Sequence, residues 1–169
     1  TDNFASRYMI NDACVLKGKP VVYGAVSRFE GQVAVFNVIQ EGKKRTGNYR
    51  DLFPEQPGPG EVMNCAEAGV LGVLPGIIGT MQANETIKLI TGIGESLVNQ
   101  LLTCDSINNR QFIYHYTPNK DAAGMSADEE AFMKMNYEIE CSTADSRFEI
   151  DVEKFDTMLL SKHTKFIDV

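Results

Sequence analysis

The sequence predicts an α/β fold on three observations: an apolar pattern of helical period at the start, two pairs of short β-rich runs, and an apolar helical stretch between the pairs. Phe4, Tyr8, Ile10, Ala13, Val15 and Leu16 recur within residues 3–17, with Thr1 or Asp2 placed to cap the helix and Gly18 to stop it. Residues 20–27 and 32–39 are rich in Val, Phe and Tyr, and Glu30-Gly31 between them predicts a tight turn joining two adjacent strands. Residues 41–47 form a polar turn, in which Lys43, Lys44 and Arg45 read as a short solvated basic cluster.

The run FPEQPGPGEVMN, residues 53–64, holds three prolines and two glycines and sustains neither helix nor central strand. This long loop leads into Cys65 and an apolar stretch over 70–90, whose second part, 79–90, keeps Met81, Ile87 and Ile90 on one helical face until Gly92 and Gly94 end it. Gly72, Pro75, Gly76, Gly79 and polar residues interrupt the stretch, so it predicts a buried helix and not a membrane span; its first part, 70–78, suits a core or a subunit interface. Residues 97–105 and 111–116 predict a second strand pair around a polar turn at 106–110. From Tyr116 the chain turns polar and acid-rich, with one short helix expected from Ser126 and with Asp128 and Glu129 in its first turn. After Cys141 a new unit begins, with a helix through Phe155, Met158, Leu159 and Leu160 and a strand from Phe166 to the end. The chain starts on Thr1 inside a helix pattern and ends on an unpaired strand, so both ends read as cut.

At 169 residues the chain is long enough to bury roughly 70% of its unfolded surface. A formal charge of −7 argues against nucleic acid or an anionic membrane as partner, since phosphates are bound by clustered Lys and Arg. Cys14, Cys65, Cys104 and Cys141 form no CxxC pair, which excludes a visible zinc ribbon or dithiol motif and favours a reduced, cytoplasmic protein.

Three motifs in order, TDNFASRYMIND (residues 1–12), GKPVVYGAVSRFEGQVAVF (18–36) and CAEAGVLGVLPGIIGTMQANETIKLITG (65–92), resemble the MoeB/ThiF/HesA family of ubiquitin-activating-like adenylyltransferases. The resemblance covers residues 1 to about 116. It implies the C-terminal part of a doubly wound, Rossmann-like domain with a mixed sheet, in which Thr1-Asp2-Asn3 follows a strand's carboxyl end, where open α/β sheets bind nucleotides. On this reading residues 1–140 belong to the adenylyltransferase domain. Its Gly-rich nucleotide loop would precede Thr1, so the fragment alone is expected to be inactive.

The activity that the resemblance implies is ATP-dependent adenylylation of the C-terminal glycine of a ubiquitin-like sulfur carrier, of molybdopterin or thiamin biosynthesis, by a homodimeric parent. Asp2 would help hold Mg²⁺ and ATP, because a hard oxygen ligand suits Mg²⁺; an ordinary helix cap is the competing explanation. Asn3 and Arg7 share the motif and, one helical turn apart, face the same edge as supporting nucleotide residues. Arg28 and Gln32, on the hairpin with Glu30 and Gly31, would lie near the groove for the carrier's Gly-Gly tail. A cysteine at the motif position of Cys65 engages the activated carrier through sulfur in ThiF-like relatives and is dispensable in MoeB-like ones; a position before a helix lowers a thiol's pKa, while a small buried hydrophobe is the alternative. Cys14, Cys104 and Cys141 read as structural.

Many family members hold a structural zinc on two CxxC pairs. Here Asn48-Tyr49-Arg50-Asp51 stands at the first place and no pair occurs between Tyr116 and Cys141, so zinc is not expected, and the acid-rich segment after Tyr116 reads as loosely attached. Residues 148–169 resemble the start of a rhodanese domain, and 141–169 are taken as linker and truncated domain. The rival readings are a non-catalytic interaction or dimerisation module and an adenylyltransferase for another acyl substrate, which the same fold would serve.

Overall fold

The computed structural model describes residues 3–40, 44–57, 69–119 and 128–137. The elements run α1 (Phe4–Leu16), β1 (Val21–Ser27), β2 (Glu30–Phe36), α2 (Tyr49–Leu52), α3 (Leu74–Thr91), β3 (Gln100–Asp105), β4 (Arg110–His115) and α4 (Glu129–Lys134). The four strands form one antiparallel sheet in sequence order, with α3 inserted between β2 and β3. Parallel pairing among the described residues is limited to the isolated bridges Arg28↔Val70 and Val35↔Val98.

Because strand side chains alternate, β2 separates two cores. Val33 and Val35 face Leu74 and Ile78 of α3, together with Leu97 and Cys104. Ala34 and Phe36 face the other way, onto Tyr8 of α1, Tyr49 of α2 and Tyr23 of β1. Val33, Ala34, Val35 and Phe36 are all fully buried, so β2 is the central strand in section as well as in sheet order.

Several sequence expectations shift in detail. The cap of α1 is Asn3, whose Oδ1 accepts the Ser6 amide at 2.7 Å, and neither Thr1 nor Asp2, which lie outside the described residues. The β1–β2 turn is Arg28-Phe29, with Ser27 paired to Glu30 and Arg28 at φ 50°; Glu30 and Gly31, expected in the turn, are inside β2. A two-residue hairpin needs positive φ at its first central position, and here an arginine takes it. On α3 the buried residues are Leu74, Ile78 and Glu85, whereas Ile87 and Ile90 point outward. Arg45 is exposed, as expected of a solvated basic cluster, and is also tied down: its Nη1 donates to the Val15 carbonyl at 2.7 Å and to Asn37 Oδ1 at 3.0 Å.

Two further differences concern the end of the described chain. Asp128 caps α4 by accepting the Ala131 amide, and Glu129 opens the helix. The segment after Tyr116, expected to be loosely attached, is tied back to the domain. The Asn119 amide donates to Asp51 Oδ1 at 2.7 Å, the Tyr137 hydroxyl donates to Asp12 Oδ2 at 2.8 Å, and Lys17 of α1 pairs with Glu129. The helix expected around residues 155–160, the final strand, Cys141 and the whole rhodanese-like segment lie outside the described residues.

Candidate functional site

A cleft of about 290 Å³ opens between α1, the β1–β2 hairpin and the segment that follows α2. Its floor is one face of β1, with Tyr23, Ala25 and Ser27; its walls are Phe4 and Arg7 of α1, Tyr49 and Phe53 after the hairpin, and Glu30 and Gln32 of β2. The register explains the grouping. Ser27 pairs with Glu30 and Ala25 with Gln32, and paired residues in antiparallel strands project to the same face.

Among the described residues, Arg7 is the cation of this cleft. Its guanidinium carbon stands 5.0 Å above the Phe4 ring, a cation–π contact that holds a half-buried charge in place. It acts on two phenols. Burial raises the Tyr49 hydroxyl's pKa, and the charge of Arg7 and a hydrogen bond to it pull the other way. Burial likewise raises that of Tyr23, with Tyr49 adding and Arg7 opposing. Both phenols therefore stay neutral at ordinary pH; the Tyr49 oxygen accepts from Arg7, and the Tyr23 hydroxyl donates to Gln32 Oε1 at 3.2 Å. Tyr23, Tyr49 and Phe53 form a ring cluster with centroids 4.8–6.3 Å apart.

The predicted site residues thus divide. Arg7 and Gln32 line one cleft. Arg28 stands at the hairpin tip, where its carbonyl accepts the Leu71 amide at 2.8 Å, so the tip is fastened to the chain entering α3. Asn3 is engaged as a helix cap. Asp2 and Cys65 lie outside the described residues, as does Asp2's expected part in holding Mg²⁺. Glu30, expected near the groove with the rest of the hairpin, lines the cleft as well, whereas sequence reasoning missed Tyr23 and Tyr49. Tyr23 had a signal, since it alternates with Ala25 and Ser27 on one strand face; Tyr49 had none until α2 folded it over α1.

The place expected for zinc holds a helix cap. Asn48 and Asp51 bracket α2 in a reciprocal capping box: Asn48 Oδ1 accepts the Arg50 amide at 2.9 Å, and Asp51 Oδ2 accepts the Asn48 amide at 2.6 Å and its Nδ2 at 3.0 Å. The other oxygen of Asp51 accepts the Asn119 amide. With both carboxylate oxygens committed and no thiolate at either end, this set does not fit a structural zinc. Between them Arg50 turns inward and pairs with Asp12, Nε to Oδ1 at 2.9 Å and Nη2 to Oδ2 at 2.7 Å, over the face of Tyr8. That hydrogen bond to Asp12 is the main reason the guanidinium's pKa is raised.

Comparison with known proteins is consistent with this geometry. The profile of the ThiF family matches residues 1–149. The chain is 53% identical over 108 residues to the probable adenylyltransferase/sulfurtransferase MoeZ of Mycobacterium tuberculosis, 63% of this chain and 27% of that protein. It is 50% identical over 107 residues to the sulfur carrier protein adenylyltransferase of Thermus thermophilus, 63% of this chain and 40% of that protein. The chain therefore spans between a quarter and two fifths of these relatives' length. Among solved structures it resembles E. coli MccB with MccA-N7isoASN at a TM-score of 0.55 and 15% identity, over 69% of this chain and 36% of that one, a likeness of fold.

Proposed function

This chain belongs to the ThiF family, and on that premise we propose that it forms the tail-binding half of an adenylyltransferase site, which activates the C-terminal glycine of a ubiquitin-like sulfur carrier with ATP. The observation that carries the reading is the cleft itself. It puts Arg7, the cation among its described residues, beside the rings of Tyr23, Tyr49 and Phe53 near the start of α1, the helix that Asp2 precedes in sequence. A carboxylate drawn to Arg7 would lie near the start of α1, close in sequence to Asp2, the residue that the resemblance ties to the nucleotide. The relatives' names, sulfur carrier protein adenylyltransferase and adenylyltransferase/sulfurtransferase, support the same substrate class.

The cap of α1 bears on Asp2. Asn3 already satisfies the Ser6 amide, so helix capping no longer accounts for an acid at position 2. We assign Asp2 to Mg²⁺ and ATP, where a hard oxygen ligand offsets charge on the transferring phosphate. The chemistry ATP supplies is attack of the carrier's carboxylate on its α-phosphate, with pyrophosphate leaving. The chain's own part is to hold that carboxylate and exclude water, through Arg7, Tyr23, Tyr49 and Phe53. Cys65 is assigned the later step, a thiol that engages the activated carrier through sulfur. The apolar row that α3 leaves outward, Ile77, Ile87 and Ile90, suits a homodimer contact in the same enzyme.

The test is ATP–pyrophosphate exchange by the enzyme that contains this chain, with and without a Gly-Gly-ending carrier. Carrier-dependent exchange should fall by at least about 100-fold in Asp2→Ala, as expected when an electrostatic group acting on the transition state is removed. Exchange that no carrier stimulates would favour a binding module without chemistry.

A further inference from the structure

The cleft has a polarity that the carrier reading does not by itself require. Its two ends carry opposite charge, and the spacing between them is set by β1. A strand rises about 3.3 Å per residue, so the floor from Tyr23 to Ser27 measures about 13 Å, the length of some four residues of extended peptide. Arg7 belongs to the Tyr23 end, because together with Tyr23 and Tyr49 it also lines the adjoining pocket beside Val21, Val22 and Gly24. Glu30 belongs to the other end, because it pairs with Ser27 across the hairpin.

Between the ends the floor is the small side chain of Ala25, beside the rings of Tyr23, Tyr49 and Phe53. A carboxyl terminus at Arg7 would lay two glycines over this middle and bring the residue before them level with Ser27 and Glu30. We propose that the cleft selects carriers by the residue that precedes the terminal Gly-Gly pair, favouring Lys or Arg there, with Glu30 as the specificity-determining group and Gln32 beside it. This rests on the carrier-activation reading above.

Among the described residues that line the cleft, Glu30 is the carboxylate and Arg7 the cation, and Arg28 at the hairpin tip is not part of the lining. On the same sheet face Glu30 is followed by Asp105, its partner in β3, and then by Arg110 in β4. The Asp105 carboxylate is engaged by the amides of Ile107 and Asn108 in its own turn, and Arg110 sits two strands from Glu30, about 10 Å away at the usual strand spacing. Glu30 is exposed and faces the cleft mouth. A cation placed there is attracted by Glu30 with Asp105 behind it, and an anion is repelled by both.

The experiment is ATP–pyrophosphate exchange by the enzyme that contains this chain. Three versions of one Gly-Gly-ending carrier are compared, bearing Lys, Gln or Glu before the glycines. The unmodified enzyme should prefer Lys over Glu about three- to fivefold in KM, with kcat nearly unchanged, the scale of an exposed ion pair. Glu30→Gln should flatten the ranking and Glu30→Lys should reverse it, and high salt should shrink the preference in the unmodified enzyme. The same ranking in all three enzymes, or no ranking in the unmodified one, overturns the assignment while leaving carrier activation standing. Exchange that no carrier stimulates overturns carrier activation itself, and this assignment with it.

Discussion

Arg50 carries its charge inside the protein, and everything around it is arranged to permit that. Its guanidinium is bidentate to Asp12, lies 4.8 Å from the Tyr8 ring centroid, and shares Asp12 with the Tyr137 hydroxyl. Asp12 also accepts from Asn11 Nδ2 at 3.0 Å, so its oxygens are saturated. Removing one partner of such a pair leaves the other charge buried without compensation, which costs about 3–5 kcal/mol. Asp12→Ala should therefore lower the protein's unfolding free energy by that amount in urea titration. A loss of only about 1 kcal/mol, the worth of an exposed pair, would mean that Arg50 turns out to water in the variant. None of this was legible in the sequence. Asp12 and Arg50 are 38 positions apart, and the spacing of the NYRD run pointed only to missing zinc ligands, while the reciprocal cap it forms is a pattern recognisable once α2 is known to begin at Tyr49.

Among the elements, the contact of α3 with the sheet is closest at Gly31. A side chain there would run into Ile78, itself buried and backed by Leu74, so the glycine is needed for space and not for its backbone angle. Gly31→Ala should cost about 1–3 kcal/mol through overpacking, and Ile78→Val should recover part of it. Coupling of the two substitutions in a double-mutant cycle of melting measurements checks the contact; additive losses would place the strain elsewhere. The strands themselves were readable from β-branched and aromatic runs, and they came out within a few residues of expectation. Their turn was not, because Glu30-Gly31 looks like turn chemistry while the hairpin actually turns on Arg28-Phe29, and Gly31 serves packing instead. The outward face of α3 was misread for a related reason. Ile87 and Ile90 are apolar at helical spacing, but only Leu74, Ile78 and Glu85 meet the rest of the described chain as buried residues, the last by accepting the Leu97 amide at 2.9 Å and pairing with Lys88. Periodicity reports an apolar face without saying what covers it.

On the scale of the whole molecule, the question is what fastens the polypeptide after β4 to the two-faced sheet. Metal ties serve this purpose in many relatives by resemblance, yet here the tie is built from hydrogen bonds and ion pairs that radiate from α1 and α2: Asn119 to Asp51, Tyr137 to Asp12, and Glu129 to Lys17. Phe132 and Tyr137 stack beside them with centroids 5.8 Å apart. A tie of this kind has a different dependence on conditions from a zinc site, whose binding free energy is folding free energy and disappears with a chelator. The protein's melting temperature should therefore be the same with and without excess EDTA, and metal analysis should find no stoichiometric zinc. Asp51→Ala, in contrast, removes both the α2 cap and the Asn119 contact. Loss of a cap alone costs about 0.5–2 kcal/mol, so the melting temperature should drop by a few degrees whether or not chelator is present. A chelator-induced drop in the unmodified enzyme would show that metal does the fastening after all, with the Asp51 contacts secondary. A melting temperature unmoved by both treatments would mean that apolar packing around Phe132 and Tyr137 holds the segment.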